Sequence, residues 1–370
     1  MLVDFTTSNF MFIKDEACLS LVARPSADRD DTHVVVPKLP EPSSPIRLLR
    51  TAAIYGPNAA GKTNLLMAMS AMQAMIKNSS QSMDELPVVP FEFDPACRER
   101  PSVFDVTFIL EGVRYQYGFS ATKSRVFGEW LFAWPRGRPQ AWFERVMDNF
   151  DYGPNLPGPK RTWEAATRPD SLFLSTAVAL NSKHLKPVSD WFSESLHVAA
   201  AGAWSDSFTT SLCRSDSEND RITKNDTLDF GNSADLSVKD IVVLDVEFPA
   251  EELPKGLPAS VREQIEKDVK GKKFPQVFFL HDVGDGDPIE LDLGVESHGT
   301  QRLFALAGPW LDVLGKGATI VFDELEDSLH ANLVKHLINS FHSTSINPNG
   351  AQLIFTTHNT SILNQETFSA

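Results

Sequence analysis

Residues Gly56-Pro57-Asn58-Ala59-Ala60-Gly61-Lys62-Thr63 match the pattern GxxxxGK[ST] at every fixed position. Glycines let a backbone wrap closely enough for its N–H groups to face phosphate oxygens. A helix that starts there turns its positive end toward the same anion. In such a loop Lys62 reaches the β and γ phosphates and Thr63 gives its hydroxyl to Mg²⁺, so the implied ligands are ATP and Mg²⁺. Gly56, Asn58, Ala59, Ala60, Gly61 and Asn64 would surround the phosphates. Further along, Ile320-Val321-Phe322-Asp323-Glu324 is an apolar run ending in two acids. Asp323 would share the metal with Thr63, and Glu324 would polarise an attacking water. Alone this pair is weak, because many strands end in solvated acids; the loop upstream gives it meaning. Thr356-Thr357-His358-Asn359 follows another apolar run, and His358 could donate to a γ-phosphate or be a plain polar loop residue. Ser297-His298-Gly299-Thr300-Gln301 opens a helical pattern. By itself Ser297 reads first as a helix cap and second as an anion contact.

These residues need a parallel scaffold. Arg50–Tyr55 is a short apolar run before the glycine loop, and from Thr63 onward Leu65, Leu66, Met69, Met72, Met75 and Ile76 recur at helical spacing. Apolar runs at 50–55, 318–322 and 352–356, each beside a helical pattern, predict an α/β fold with a parallel core sheet. Residues 103–120 read as two strands, 172–196 as a helix, 259–269 as a charged helix, and 205–236, rich in Ser, Asp, Asn and Thr, as a loop. The stretch from 125 to 270 is less regular, with candidate strands at 130–133 and 141–146, and is expected to be an α+β insertion. The expected divisions are 1–124, carrying the phosphate loop, 125–270, the insertion, and 271–370, carrying the acids and His358.

The net charge is −15, from 49 acidic and 34 basic residues. Phosphate neutralisation needs Lys and Arg, so the total does not support a nucleic-acid-binding role, though a local basic patch remains compatible with it. Cys18, Cys97 and Cys213 are far apart and form no metal or disulfide spacing. No apolar run approaches membrane-spanning length, and the N-terminus lacks a basic region before an apolar one. The expectation is a cytoplasmic protein without membrane association. A P-loop phosphotransferase would need arginines in a lid; Arg125, Arg136, Arg138 and Arg145 show no such pattern. Trp130, Trp142 and Trp191 are candidate partner anchors if exposed, and core residues otherwise.

In this order the motifs resemble the ABC-type ATPase head. They also resemble bacterial ATPases labelled AAA-family but built like SMC and DNA-repair heads, of the RloA and AbiL kind that act in phage defence. The resemblance rests on Asn9-Phe10, the phosphate loop with Asn64, Pro90–Phe93, Tyr115–Phe119, Ser297–Leu303, Asp323–His330 and Thr356–His358. It implies a parallel core sheet under an N-terminal antiparallel layer, hydrolysis with Glu324 and His358 as catalytic residues, and Asp323 with Thr63 on the metal. Ser297, Gly299 and Gln301 would act as a signature loop on the nucleotide of a second copy. It further implies a nucleotide-sandwich dimer that controls a partner effector, a nuclease or toxin. Alternatives are an ATP-gated scaffold with little hydrolysis and an SMC-type ATPase acting on nucleic-acid ends. Three features depart from the family pattern: Ala60 replaces a glycine, His298 replaces a signature glycine, and no Q-loop glutamine is evident. Such heads usually continue with β-structure past the switch histidine, and this sequence ends twelve residues after His358.

Overall fold

The computed structural model describes residues 1–24, 29–57, 60–81, 83–199, 205–214, 221–234, 236–247, 258–269, 271–284, 287–359 and 362, with the side chains of 259 and 266 left aside. The fold is mixed α/β, with one parallel and several antiparallel sheets. It divides into two units. The first comprises Met1–Ala203, Val313–Asp327 and Ala331–Ala370; the second comprises Trp204–Asp312 and Ser328–His330.

The first unit carries a four-stranded parallel sheet in the order Leu196–Ala199, Thr319–Phe322, Gln352–Thr357, Thr51–Tyr55. The two central strands are buried along their whole length, which is why they appear in the sequence as unbroken apolar runs. The unit also holds a seven-stranded antiparallel sheet, in the order 149–152, 140–146, 126–134, 113–121, 102–110, 2–8, 17–20. Phe104, Val106 and Phe108 alternate inward from the 102–110 strand into a core shared with the helix Lys62–Asn78. That helix buries Leu66, Met69, Met72, Met75 and Ile76, the stripe seen in the sequence, and leaves Met67 exposed. Gln73 also faces the core, where its side-chain amide donates to Phe192 O (2.7 Å) and Leu196 O (2.6 Å). A buried amide must find such partners, and here they fix the helix to the start of an edge strand of the parallel sheet.

The structure divides the chain elsewhere than at 125 and 270. The strands 126–134, 140–146 and 149–152 extend the antiparallel sheet of the first unit. They contain the short strands read at 130–133 and 141–146; their full extent is obscured because the inner face carries a charge and the outer face carries aromatics. Glu129 is fully buried and accepts hydrogen bonds from Tyr117 OH (3.0 Å) and the amides of Phe173 (2.6 Å) and Leu174 (2.9 Å). The Arg145 guanidinium lies 3.9 Å away and donates to Ser171 O and Met147 O. Burial pushes the Glu129 carboxyl up and the Arg145 guanidinium down, each opposed by the other's charge. On the opposite face Trp130 donates to Asp105 (2.7 Å) and covers Gly118, where an added Cβ would sit 2.4 Å from the indole. Trp191 is a core residue stacked on Phe108, centroids 4.1 Å apart, and Trp142 packs partly buried against the same core. Neither is an exposed anchor. The helix expected over 172–196 is three short pieces, 173–179, 186–190 and a π turn at 191–195, with Pro187 in the first turn of the second.

The second unit, taken by itself, contains an antiparallel sheet of Val238–Glu247, Lys273–His281 and Ile289–Asp292. Its core gathers Cys213, Val238, Ile241, Val277, Phe279, Leu293 and Phe304. The expected loop over 205–236 contains two helices, Ser207–Arg214 and Lys224–Ser233. The second begins with a reciprocal cap between Thr223 and Asp226. Polar composition concealed both helices.

Candidate functional site

The strand Thr51–Tyr55 delivers the chain to Gly56, and the helix Lys62–Asn78 carries it away. Asn58 and Ala59 lie outside the described residues. Gly61 caps the helix at φ 87°, a left-handed backbone that glycine adopts at little cost. No side chain caps this helix and no acid lies in its first turn. Its first N–H groups therefore remain available to an anion. Lys62 Nζ donates to Gly56 O (2.7 Å) and Pro57 O (3.1 Å), so the ammonium lies folded against the loop it would serve.

Thr63 and Asp323, remote in sequence, meet directly: the Thr63 hydroxyl lies 3.0 Å from Asp323 Oδ2 and 3.3 Å from Oδ1. A hydroxyl facing a largely buried carboxylate is a hard-oxygen donor set, which suits Mg²⁺. Asp323 follows the strand Thr319–Phe322, and its own amide donates to Ala199 O on the neighbouring strand side (3.1 Å). Glu324 has φ 51°, a left-handed conformation uncommon for a residue with a Cβ. From the adjacent strand, the Thr356 hydroxyl donates to Asp323 Oδ1 (2.6 Å) and accepts from Glu324 N (2.8 Å). Glu326 Oε1 accepts from the Thr357 hydroxyl (2.8 Å) and from His358 N (3.0 Å). His358 Nδ1 lies 3.7 Å from Glu326 and 4.0 Å from Glu324. Hydrogen bonds and close contacts thus link Thr63, Asp323, Thr356, Glu324, Glu326 and His358, while Lys62 adjoins Thr63 in the chain. Sequence reasoning passed over Thr356 and the anchoring part of Glu326. Polar residues at the end of a wholly apolar strand are the signal that would have found the threonine.

Ser297, Gly299 and Gln301 belong to the second unit. The Ser297 hydroxyl accepts from Thr300 N (3.2 Å), so the plain capping role is present at the start of the helix His298–Lys316. Gln301 turns back to donate to Gly294 O and Glu296 O. Ser297 and His298 are both exposed.

The base of the phosphate-loop strand rests on a histidine pair. His342 Nε2 meets the Thr51 hydroxyl at 2.7 Å, and its ring stacks on His33 at 3.7 Å. Burial first, then the charges of His33, Arg50 and Arg29, pull the His342 pKa down to about 3. An unfolded histidine takes up its proton near pH 6.5. The neutral ring therefore contributes stability that is complete above pH 6.5 and is lost as pH falls toward 3. Between pH 7.5 and 5.5 this one group should remove about 1 kcal/mol of folding stability. Urea unfolding at the two pH values checks it; His342→Gln should flatten the difference, and an equal slope in both proteins would remove His342 as its source.

A protein-family model described as "AAA domain, putative AbiEii toxin, Type IV TA system" matches residues 52–151 and 183–364. No curated protein matches the chain. Among solved structures, the SMC head domain from Thermotoga maritima is 13% identical, with a TM-score of 0.45 over 100% of this chain and 92% of that one. The SmcHead bound to the C-winged helix domain of ScpA is 13% identical, with a TM-score of 0.42 over 98% and 90%. An Smc head domain with an extended coiled coil, bound to the C-terminal domain of ScpA derived from Pyrococcus furiosus, is 10% identical, with a TM-score of 0.43 over 98% and 90%.

Proposed function

Since the chain belongs to this AAA-domain family, whose model spans well over half of it, we propose that it binds Mg²⁺–ATP at the loop Gly56–Thr63 and hydrolyses it. The observation that carries the proposal is the contact of Thr63 with Asp323 at the mouth of an uncapped helix. Lys62 would exchange the Gly56 and Pro57 carbonyls for β and γ phosphate oxygens. Thr63 and Asp323 would hold Mg²⁺, which neutralises phosphate charge. Glu324 would take the proton of an attacking water, and His358, anchored through its amide by Glu326, would donate to the γ-phosphate. Asn64 and the loop residues 56–61 would line the phosphates.

We further propose that two copies sandwich the nucleotide, with Ser297, Gly299 and Gln301 of one facing the phosphate loop of the other. The exposure of Ser297 and His298 at the start of a long helix supports this. The nucleotide state would control a partner protein, a nuclease or toxin in antiphage defence. That part rests on the sequence resemblance; the family's description, a putative AbiEii toxin of a type IV TA system, supports a role in such a system and names no partner. The acidic balance supports a protein partner over nucleic acid. No described helix is long and apolar enough to cross a membrane, and the three cysteines are free; a cytoplasmic setting fits both. Mixing tests the sandwich. Lys62→Ala chains and Ser297→Ala chains should each be inactive alone. Mixed in equal amounts they should recover roughly a quarter of the wild-type rate, because half the dimers are mixed and each keeps one intact site. Absence of recovery, with heterodimers proven by native mass spectrometry, would refute shared sites.

A further inference from the structure

We infer that Thr356 is a positioning residue, whose single hydroxyl sets both acids of the site: the carboxylate of Asp323 and the backbone of Glu324. The inference rests on the nucleotide-binding reading above and deepens it. A threonine hydroxyl has one proton and two lone pairs. Here the proton goes to Asp323 Oδ1 at 2.6 Å, the length of a charge-assisted O–H···O⁻ bond. A lone pair then accepts the Glu324 amide at 2.8 Å. Thr356 is fully buried at the end of the strand Gln352–Thr357, which runs parallel to the acid strand with Phe355 opposite Phe322. The next residue on each strand is therefore Thr356 and Asp323, so the register itself brings the hydroxyl to the carboxylate.

Two consequences follow for the chemistry. Thr356 approaches the Asp323 carboxylate at Oδ1, while Thr63 lies nearer Oδ2. Two hydroxyls bracket one carboxylate, so Oδ2 is held in the direction of the metal-binding threonine instead of rotating freely. The same hydroxyl holds the amide of Glu324, whose φ of 51° is a conformation the chain does not favour for a side-chain-bearing residue. That turn is the one from which Glu324 comes within 4.0 Å of His358. One oxygen atom thus ties the metal carboxylate to the proposed general base. Thr357 ties a different carboxylate, that of Glu326, so the adjacent threonines are not redundant.

Thr356→Val keeps the shape and removes both hydrogen bonds, whereas Thr356→Ser keeps both and removes a methyl. Binding of a fluorescent ATP analogue is measured in EDTA and across a Mg²⁺ titration, with melting temperature as the folding control. All three proteins should bind alike in EDTA. Thr356→Val should need roughly 10–100-fold more Mg²⁺ for half of the metal-dependent tightening, the worth of one hydrogen bond to a charged group. Thr356→Ser should stay within about threefold of wild type, because both hydrogen bonds survive. Should the valine variant not fold, Thr356→Ala reads the same quantity. A folded Thr356→Val or Thr356→Ala with the wild-type Mg²⁺ midpoint overturns the inference. So does a serine variant as impaired as the valine one, which would assign the effect to the methyl. Wild-type protein without any Mg²⁺-dependent nucleotide binding would instead overturn the reading of the whole site.

Discussion

Replacing Lys62 by alanine is expected to weaken ATP binding by roughly 10²–10³-fold, the effect of losing about two charge-assisted hydrogen bonds. The ammonium already has partners, Gly56 O and Pro57 O, at ordinary hydrogen-bond distances. In the proposed mode, binding would exchange neutral carbonyl acceptors for anionic phosphate oxygens. The net gain is the difference between the two sets, which is why the estimate stays at a few kcal/mol and not the full attraction of an ion pair. Removing Lys62 leaves the helix intact, since the residue is partly exposed and its side chain contributes no core surface. Calorimetry on the folded variant is the check. Unchanged affinity would mean that the loop does not hold phosphate.

Glu324→Gln should separate binding from turnover. The amide has the size of the carboxylate and occupies the same left-handed backbone, and the bond from its main-chain nitrogen to Thr356 does not depend on the side chain. What disappears is the capacity to take a proton, a contribution of about 10²–10⁴-fold in rate. Nucleotide affinity should remain within a few fold of wild type while phosphate release collapses. A variant that hydrolyses ATP as fast as wild type would exclude Glu324 as the base and turn attention to His358, 4.0 Å from Glu324, or to Glu326, 3.7 Å from His358.

Much of the architecture around this site is legible in the sequence because it follows from burial. The strands at 319–322 and 352–357 are covered on both faces, and such strands leave runs of apolar residues. The helix after the phosphate loop shows its buried stripe, and the helix at 259–269 has the same limits in the sequence and in the structure. The antiparallel strands at 126–152 are legible only in part, at 130–133 and 141–146, for the opposite reason. Glu129 and Arg145 occupy inward positions where an apolar residue is expected, while Trp130 lies on the outer face. Period-two reasoning inverts there. In the candidate site, the loop and the two acids stand out by residue type and spacing. The meeting of Thr63 with Asp323 is a property of strand order, and so is the role of Thr356; neither is written in any local stretch of sequence.

Strand order has one more consequence, for the history of each molecule as it is made. Thr51–Tyr55 lies at the edge of the parallel sheet, and its neighbour there, among the described residues, is Gln352–Thr357. The phosphate loop thus leaves the ribosome well ahead of its sheet neighbour: the strand that precedes it has no partner, among the described residues, until residues about three hundred positions later have emerged. At ordinary synthesis rates that interval is about 15–60 s. Through the later part of it the antiparallel strands from 2 to 152 can pair among themselves, while Lys62 and Thr63 wait beside an unfinished sheet. A nascent chain therefore carries the motif without the proposed site, which is assembled only when the strand bearing Thr356 enters between the loop strand and the acid strand.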